Sequence, residues 1–228
     1  MTRPVAPGVH MVTRRNANMY LLESGDRLAL IDTGFPGSED AVLGAVAARG
    51  RRAEDVTDIV LTHAHYDHVG SAAALVAATG ARTWMHPLDA PLAEAGGGAR
   101  PAKPAPGLTA HLLFRLYAKP GRTTAPVRID TLVEDGATIP VAGGLQVIHI
   151  PGHCAGQIAL LQPSTGTLFA ADVAMNVLGL ADPIGFEDQA LGRASQRTLA
   201  ALDFATACFG HGKPLTEGAA RFRAKWGN

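Results

Sequence analysis

Short apolar runs alternate with polar turns and with stretches of helical spacing along most of the chain. Met19-Tyr20-Leu21-Leu22 and Leu28-Ala29-Leu30-Ile31 flank a turn at Ser24-Gly25-Asp26, so Asn18 to Asp32 reads as a β-hairpin. Ser38 to Gly50 reads as a helix, with Ser38 as N-cap, Glu39 and Asp40 in the first turn and Gly50 as its stop. Val42, Ala45, Val46 and Arg49 share one face of it. Asp58-Ile59-Val60-Leu61 predicts a strand, Gly70 to Thr79 a small-residue helix ended by Gly80, and Ala81 to Met85 another strand. Gln146 to Ile150, Ile158 to Leu161, Leu168 to Ala171 and Ala207-Cys208-Phe209 read as further strands. Glu187 to Leu202 and Thr216 to Trp226 read as helices, the last with Phe222 and Trp226 at i and i+4.

Glu94 to Pro126 breaks this rhythm. Ala95 to Gly107 holds four glycines and three prolines, followed by the apolar-basic piece His111 to Tyr117 and by Lys119-Pro120-Gly121. So long an irregular segment inside a compact domain is functional or disordered. Leu112, Leu113, Leu116 and Tyr117 are expected to pack as a turn and a half of helix against the body. Residues 94–126 are therefore read as an insertion that covers the site, with a plain surface excursion as the other reading. There are no internal repeats, and residues 1–228 are read as one domain.

Composition narrows the function classes. Apolar residues make up 47% of the 228, charged residues 18%, and the formal net charge is zero. The balance gives no support to a nucleic-acid surface. No apolar run approaches the 18 or so residues of a membrane span, and Met-Thr-Arg-Pro-Val-Ala-Pro-Gly lacks the apolar centre of a signal peptide. Two cysteines, Cys154 and Cys208, make no disulfide framework. The expectation is a cytoplasmic protein with a small-molecule substrate, without nucleic-acid or membrane partners. The oligomeric state stays open, a homodimer included.

The chemistry concentrates in Thr62-His63-Ala64-His65-Tyr66-Asp67-His68, an H-x-H-x-D-H motif. Imidazole and carboxylate donors suit a borderline-soft divalent cation, zinc first, with iron or manganese as other occupants. Residues at i and i+2 of extended chain project the same way, so His63 and His65 can grip one ion. Asp67 and His68 lie where the chain turns into the helix and point elsewhere, which suggests two metals side by side. His153, in the turn Pro151-Gly152-His153-Cys154-Ala155-Gly156, Asp172 and His211 likewise each follow a predicted strand, and strand ends at one sheet edge can converge. Asp32, also at a strand end, is either a loop cap or an acceptor that orients a metal-bound imidazole. His10, His86, His111 and His149 are left out, His86 as a structural or rim histidine and His111 as a surface one. Cys154 is read as a small buried residue of the turn, not as a ligand or nucleophile. No G-x-S-x-G and no P-loop are present.

These motifs, together with Leu30-Ile31-Asp32-Thr33-Gly34, Ala171-Asp172 and Gly210-His211-Gly212 in this order, resemble those of the metallo-β-lactamase fold superfamily along essentially the whole chain. The resemblance implies an α+β fold, an αβ/βα four-layer sandwich of two mixed sheets face to face with helices outside. It implies that His63, His65 and His153 hold one metal, that Asp67, His68 and His211 hold a second, that Asp172 bridges both, and that Asp32 stands behind the ligands. Two zinc ions would hold a hydroxide that attacks an activated acyl bond (thioester, lactone, ester or amide), with Asp67 also accepting and returning a proton. A carboxylate at Asp172 separates the chain from typical class B β-lactamases, and His65 separates it from the diiron flavoproteins of the same fold. Glyoxalase II-like thioesterases share the ligand set but usually carry a further helical region, and 17 residues follow His211 here. Lactonases of the superfamily often have a tyrosine soon after the bridging acid, where this chain has Val173-Ala174-Met175-Asn176. Two alternatives are carried: a mononuclear iron persulfide dioxygenase using the positions of His63, His153 and Asp172, and a non-catalytic metal-binding module.

Overall fold

The computed structural model describes residues 2–118 and 121–227. The chain opens with four antiparallel strands: β1 (Thr2–Ala6), β2 (Val9–Arg14), β3 (Ala17–Ser24) and β4 (Arg27–Ile31). It crosses through α1 (Glu39–Ala47) to β5 (Val56–Val60) and through α2 (Ala72–Thr79) to β6 (Arg82–Met85), both pairing in parallel. The segment that follows holds α3 (Ala90–Glu94), β7 (Lys103–Pro104) and α4 (Leu108–Tyr117), after which β8 (Thr131–Leu132) completes a seven-stranded mixed sheet. Next come β9 (Thr138–Ile139), β10 (Leu145–His149), β11 (Ile158–Gln162) and β12 (Thr167–Phe169). Three short strands, β13 (Met175–Asn176), β14 (Leu180–Ala181) and β15 (Gly185–Phe186), lead to α5 (Gln189–Ala200), β16 (Thr206–Cys208), β17 (Leu215–Thr216) and α6 (Gly218–Trp226). The second sheet runs β17-β16-β12-β11-β10-β9.

The continuous apolar runs reflect burial of both faces of each central strand. Side chains alternate across a sheet, and here they alternate between two cores. Met19, Leu21, Leu28, Leu30 and Ile59 face α1 and α2 in one core. Tyr20, Leu22, Ala29, Ile31 and Val60 face the other way and meet Val147, Ile158, Leu160 and Phe169 of the second sheet. On that sheet's far side Ala159, Leu168 and Ala207 pack with Leu199 of α5 and with Phe222 and Trp226 of α6. The result is the four-layer sandwich, helices outside and two sheets within. Phe222 and Trp226 meet edge to face at 5.0 Å, as their spacing predicts.

Two details differ from expectation. The hairpin β1–β2 adds a strand pair before the predicted one. Helix α4 forms, but Leu112, Leu116 and Tyr117 point outward, 67%, 54% and 51% exposed, rather than into the body. Phe114, not these residues, seats the helix, since it lies so close over Gly185 that a Cβ there would meet its ring. The wider segment is tied down elsewhere by pairing of β7 with β15. Lys119 and Pro120 lie outside the described residues. Among the described residues no helix is long and apolar enough to cross a membrane.

Candidate metal centre

Four strand ends deliver the predicted donors to one edge of the two sheets. The loop after β5 carries His63, His65, Asp67 and His68, the turn after β10 carries His153, and Asp172 and His211 follow β12 and β16. Backbone bonds stitch these ends together across the sheets: the Ile158 amide donates to the Thr62 carbonyl at 3.0 Å, and the Asn18 amide to the Gly210 carbonyl at 2.8 Å. Asp32, just after β4, lies in the left-handed region, φ 57°, which turns its carboxylate back under the loop. There it accepts the Thr62 amide (2.8 Å) and hydroxyl (2.8 Å) and faces His68 Nδ1 at 2.8 Å. Asp32 thus stands behind the His68 imidazole and bonds to Thr62 at the head of the histidine-rich loop.

The donors form overlapping groups. Within each of three sets, His63-His65-His153-Cys154, His63-His68-Asp172 and Asp67-His68-His211, the donor atoms lie within 4.8 Å of one another. Asp172 Oδ2 is central, 3.2 Å from His211 Nε2, 3.6 Å from His68 Nε2 and 3.7 Å from His153 Nε2. Asp67 Oδ2 is 3.3 Å from His211 Nε2. Four imidazoles are anchored from behind through Nδ1, which leaves Nε2 for the centre. His63 is held by the Thr62 hydroxyl (3.1 Å), His68 by Asp32, His153 by the Gly185 carbonyl (2.9 Å) and His211 by the Asn16 carbonyl (2.7 Å). His65 presents Nδ1 instead, 3.0 Å from His153 Nε2.

The donor set fits a cation. His63 Nε2, His68 Nε2 and Asp172 Oδ1 are buried polar atoms with no hydrogen-bond partner among the described residues, and groups so placed are costly unless something binds them. Charge agrees with geometry. Burial and neighbouring imidazoles hold His63 well below the usual histidine range, and burial and His153 hold His65 at about 3, so both are neutral, the form that ligates. Burial opposes charge on His68 and His211 too, but Asp32 and Asp172 outweigh it at His68, which is pushed up to about 10, and Asp172 and Asp67 raise His211. Asp172 is held well below the carboxylate range despite its burial, chiefly by His211 and His68. Acids that favour positive charge beside two neutral imidazoles suit a bound cation.

The remaining histidines stand apart from this centre. His86 stacks on His149 at 4.1 Å, and His111 bonds back to the Gly107 carbonyl of its own helix. Cys154 is buried, as read, and burial, reinforced by Asp89 and Glu187, pushes its thiol up. Its Sγ nevertheless touches His65 Nε2 at 3.2 Å. Two residues went unnoticed in sequence. Thr62 relays Asp32 to His63. Asp89, fully buried, accepts the amides of Ala64 (2.9 Å) and Gly156 (3.0 Å), one from each ligand-bearing turn. Neither has a sequence signal beyond its place beside a strand end.

Asp32 gives a direct test of the anchoring. Asp32→Ala removes one side of a buried pair and is expected to lower unfolding stability by about 3–5 kcal/mol, read as a lower urea midpoint. Asp32→Asn, whose amide tolerates the left-handed backbone, should keep most of that stability. An unchanged midpoint for the alanine variant would show that the carboxylate does not secure the loop.

Comparison with known proteins agrees with this architecture. The metallo-beta-lactamase superfamily model matches residues 12–211. A probable metallo-hydrolase of Bacillus subtilis, YflN, is 28% identical over 179 residues, 75% of this chain and 66% of the relative. The uncharacterized protein YobT of the same organism is 31% identical over 68% of this chain and 60% of its own length. A hydroxyacylglutathione hydrolase from Jannaschia is 31% identical over 57% of this chain and 38% of its own. The chain thus spans less than two thirds of each of these relatives. Among solved structures, a HARLDQ-motif mutant of a metallo-beta-lactamase from Cronobacter sakazakii superposes with a TM-score of 0.71 at 24% identity, covering 92% of this chain and 80% of that one. A metallo-beta-lactamase family protein from Thermus thermophilus gives 0.71 at 23% identity, over 96% and 78%. At these identities the likeness speaks for the fold.

Proposed function

The chain belongs to the metallo-beta-lactamase superfamily, and from that premise we propose that it is a dinuclear zinc-dependent hydrolase of an activated acyl bond in a small molecule. Thioesters, lactones, esters and amides are the substrate classes, and the hydroxyacylglutathione hydrolase relatives make a thioester the first to try. One observation carries the reading: the set His63-His68-Asp172 overlaps both of the other donor sets, so that a single carboxylate stands between two groups of imidazoles. In this reading His63, His65 and His153 hold the first cation, Asp67, His68 and His211 the second, and Asp172 both. Three nitrogens at the first site, with the shared Asp172 its one carboxylate, favour zinc.

Paired divalent cations, when bound, supply Lewis-acid polarisation of the acyl carbonyl and a water acidic enough to attack at neutral pH. The protein's residues do the rest. His63 and His65 are already neutral, and the partners behind Nδ1 fix where the Nε2 atoms of the other histidines point. Asp172 is nearly closed off, 8% exposed in its side chain, whereas Asp67 is 26% exposed and lines the open side. Asp67 is ion-paired with His211 and held as a carboxylate; in this reading it is the proton carrier on the open side, and its low affinity for a proton favours handing on to the leaving group the one it takes from water. Residues 94–126 act as a cover in this reading. Its supports are the β7–β15 pairing, next to the carbonyl that anchors His153, and Arg122 over the Tyr66 ring at 5.4 Å. A cytoplasmic setting accords with two free cysteines, Cys154 and Cys208.

Elemental mass spectrometry on protein purified without added metal tests the reading. About two zinc ions per chain are expected, one for each of the two three-residue sets plus the bridge. About one iron per chain, with oxygen uptake on glutathione persulfide, would overturn the hydrolase in favour of a dioxygenase. Full zinc loading with no turnover of any thioester, lactone or β-lactam would leave a binding module.

A further inference from the structure

The two turns that carry the proposed ligands of the first cation share one support. Asp89, fully buried just before α3, accepts on one oxygen the amide of Ala64 (2.9 Å), which lies between His63 and His65. Its other oxygen accepts the amide of Gly156 (3.0 Å), three residues after His153. Glu187 holds the second turn again, through the amide of Ala155 (2.8 Å). The cation that joins these acids comes from the 94–126 segment. Arg100 lies 2.8 Å from Asp89 and 3.5 Å from Glu187, and it also donates to the Leu88 carbonyl. We propose that Arg100 is a positioning residue of the metal centre: it neutralises the buried Asp89 and so holds together the turns of His63, His65 and His153, which links order in the 94–126 segment to occupation of the first cation site. The proposal rests on the reading of those three histidines as that cation's ligands.

Three observations support it. The support is dry: Asp89 is out of contact with solvent, and a carboxylate so placed is costly unless a cation and hydrogen bonds compensate it. Among the described residues no other cationic side chain pairs with either acid. Without Arg100 the Asp89 carboxylate faces two amides and no counter-charge, and letting the turns part to admit water relieves it. The support is also directed at one set of ligands. The imidazoles of the second set are held from elsewhere, His68 by Asp32 and His211 by the Asn16 carbonyl. Finally, the segment reaches the first set by a second route. Its β7 pairs with β15, the Ala105 amide donates to Ile184 at 3.0 Å, and the Gly185 carbonyl of β15 anchors His153 at 2.9 Å. There is no slack for the turns to drift unnoticed, since a Cβ at Gly156 would come within 2.8 Å of Asp89 Cβ. The link runs both ways: whatever affinity the cation gains from an ordered segment, the segment gains in order from the cation.

The experiment titrates the full chain with zinc and follows each histidine ring by the nuclear magnetic resonance of its nitrogens, for the wild type, Arg100→Met, Asp89→Asn and the double variant. Arg100→Met keeps the apolar stem and removes the charge. It should weaken zinc binding at His63, His65 and His153 by about 10–100-fold, the cost of losing an outer partner of a ligand, and leave that at His68 and His211 nearly unchanged. Asp89→Asn removes the charge that Arg100 answers, so in that background Arg100→Met should cost nothing further. Hydrogen exchange of the backbone amides of residues 95–118 should slow when zinc binds the wild type, and Arg100→Met should lose most of that response. Should Arg100→Met not fold, Arg100→Lys replaces it; lysine keeps the charge but not the planar fork, so a smaller loss confined to the same three rings is expected, and no such loss overturns the proposal. An unchanged first group in Arg100→Met, an equal loss in both groups, or an undiminished effect in the Asp89→Asn background would overturn it and leave the hydrolase reading standing. Exchange that ignores zinc in the wild type would overturn the link to the segment. Wild-type rings that take up no zinc would sink the metal reading and the proposal together.

Discussion

Asp172→Ala should lose turnover by more than the roughly 10–100-fold that removal of an outer partner of a ligand costs, and should bind the two cations independently and weakly. The reason lies in its position. Its Oδ2 is within 3.7 Å of the Nε2 atoms of His68, His153 and His211, which belong to both proposed cation sets. Among the described residues no other carboxylate is so shared: Asp67 faces His211, and Asp32 lies behind His68. In the metal-free protein Asp172 is also the counter-charge that holds protons on His68 and His211. Removing it leaves those two imidazoles facing each other with less compensation, so part of the loss is electrostatic disorder of the centre. Asp172→Asn separates the two effects, because it keeps the shape and removes the charge; it should fold well and still lose the bridging function. The measurements are kcat and metal content per chain. Near-normal values for both in Asp172→Ala would refute the bridging role.

The metal loop was legible because its chemistry dictates residue types at short spacing, and the strand ends because each donor follows an apolar run. The second sheet's Leu168 and Phe169 precede Asp172 for the same reason that Ile59 and Val60 precede His63: both faces of these strands are buried, so their sequences are unbroken. What stayed hidden depends on distant backbone. Asp89 matters because it accepts amides 25 and 67 residues away, and nothing in its own neighbourhood announces that. The outward face of α4 was misread because Leu112 and Leu116 have helical spacing whether or not anything covers them; the close approach of Phe114 to Gly185 decides which side is seated. The first hairpin was missed because Pro4 and the half-exposed β1 lack a strand's apolar alternation.

The second large effect is expected at a residue with no side chain. Gly210, just before His211, lies against the centre: an added Cβ would collide with Asp172 Oδ1 and come within 2.6 Å of the His68 ring. Neither neighbour can yield. His68 is fully buried and held at Nδ1 by Asp32, and Asp172 is packed between three imidazoles. Nor can Gly210 retreat, because its amide donates to Ala171 at 3.1 Å and its carbonyl accepts from Asn18 at 2.8 Å, which join β16 and the first sheet. Gly210→Ala should therefore displace the carboxylate and the imidazole that the second cation needs, and turnover should fall by more than about 100-fold, beyond the cost of an outer partner. The outer layers do not touch this position, so circular dichroism should still report a folded sandwich while the second equivalent of metal is lost. Gly44→Ala is the control: that glycine is inside α1 with nothing within 4 Å of an added Cβ, and alanine there should stabilise the helix by about 1 kcal/mol with activity intact. Equal activity in the two variants would mean that the crowding at Gly210 is relieved by a movement the centre tolerates, and that the tight packing of Asp172 and His68 is not what sets its geometry.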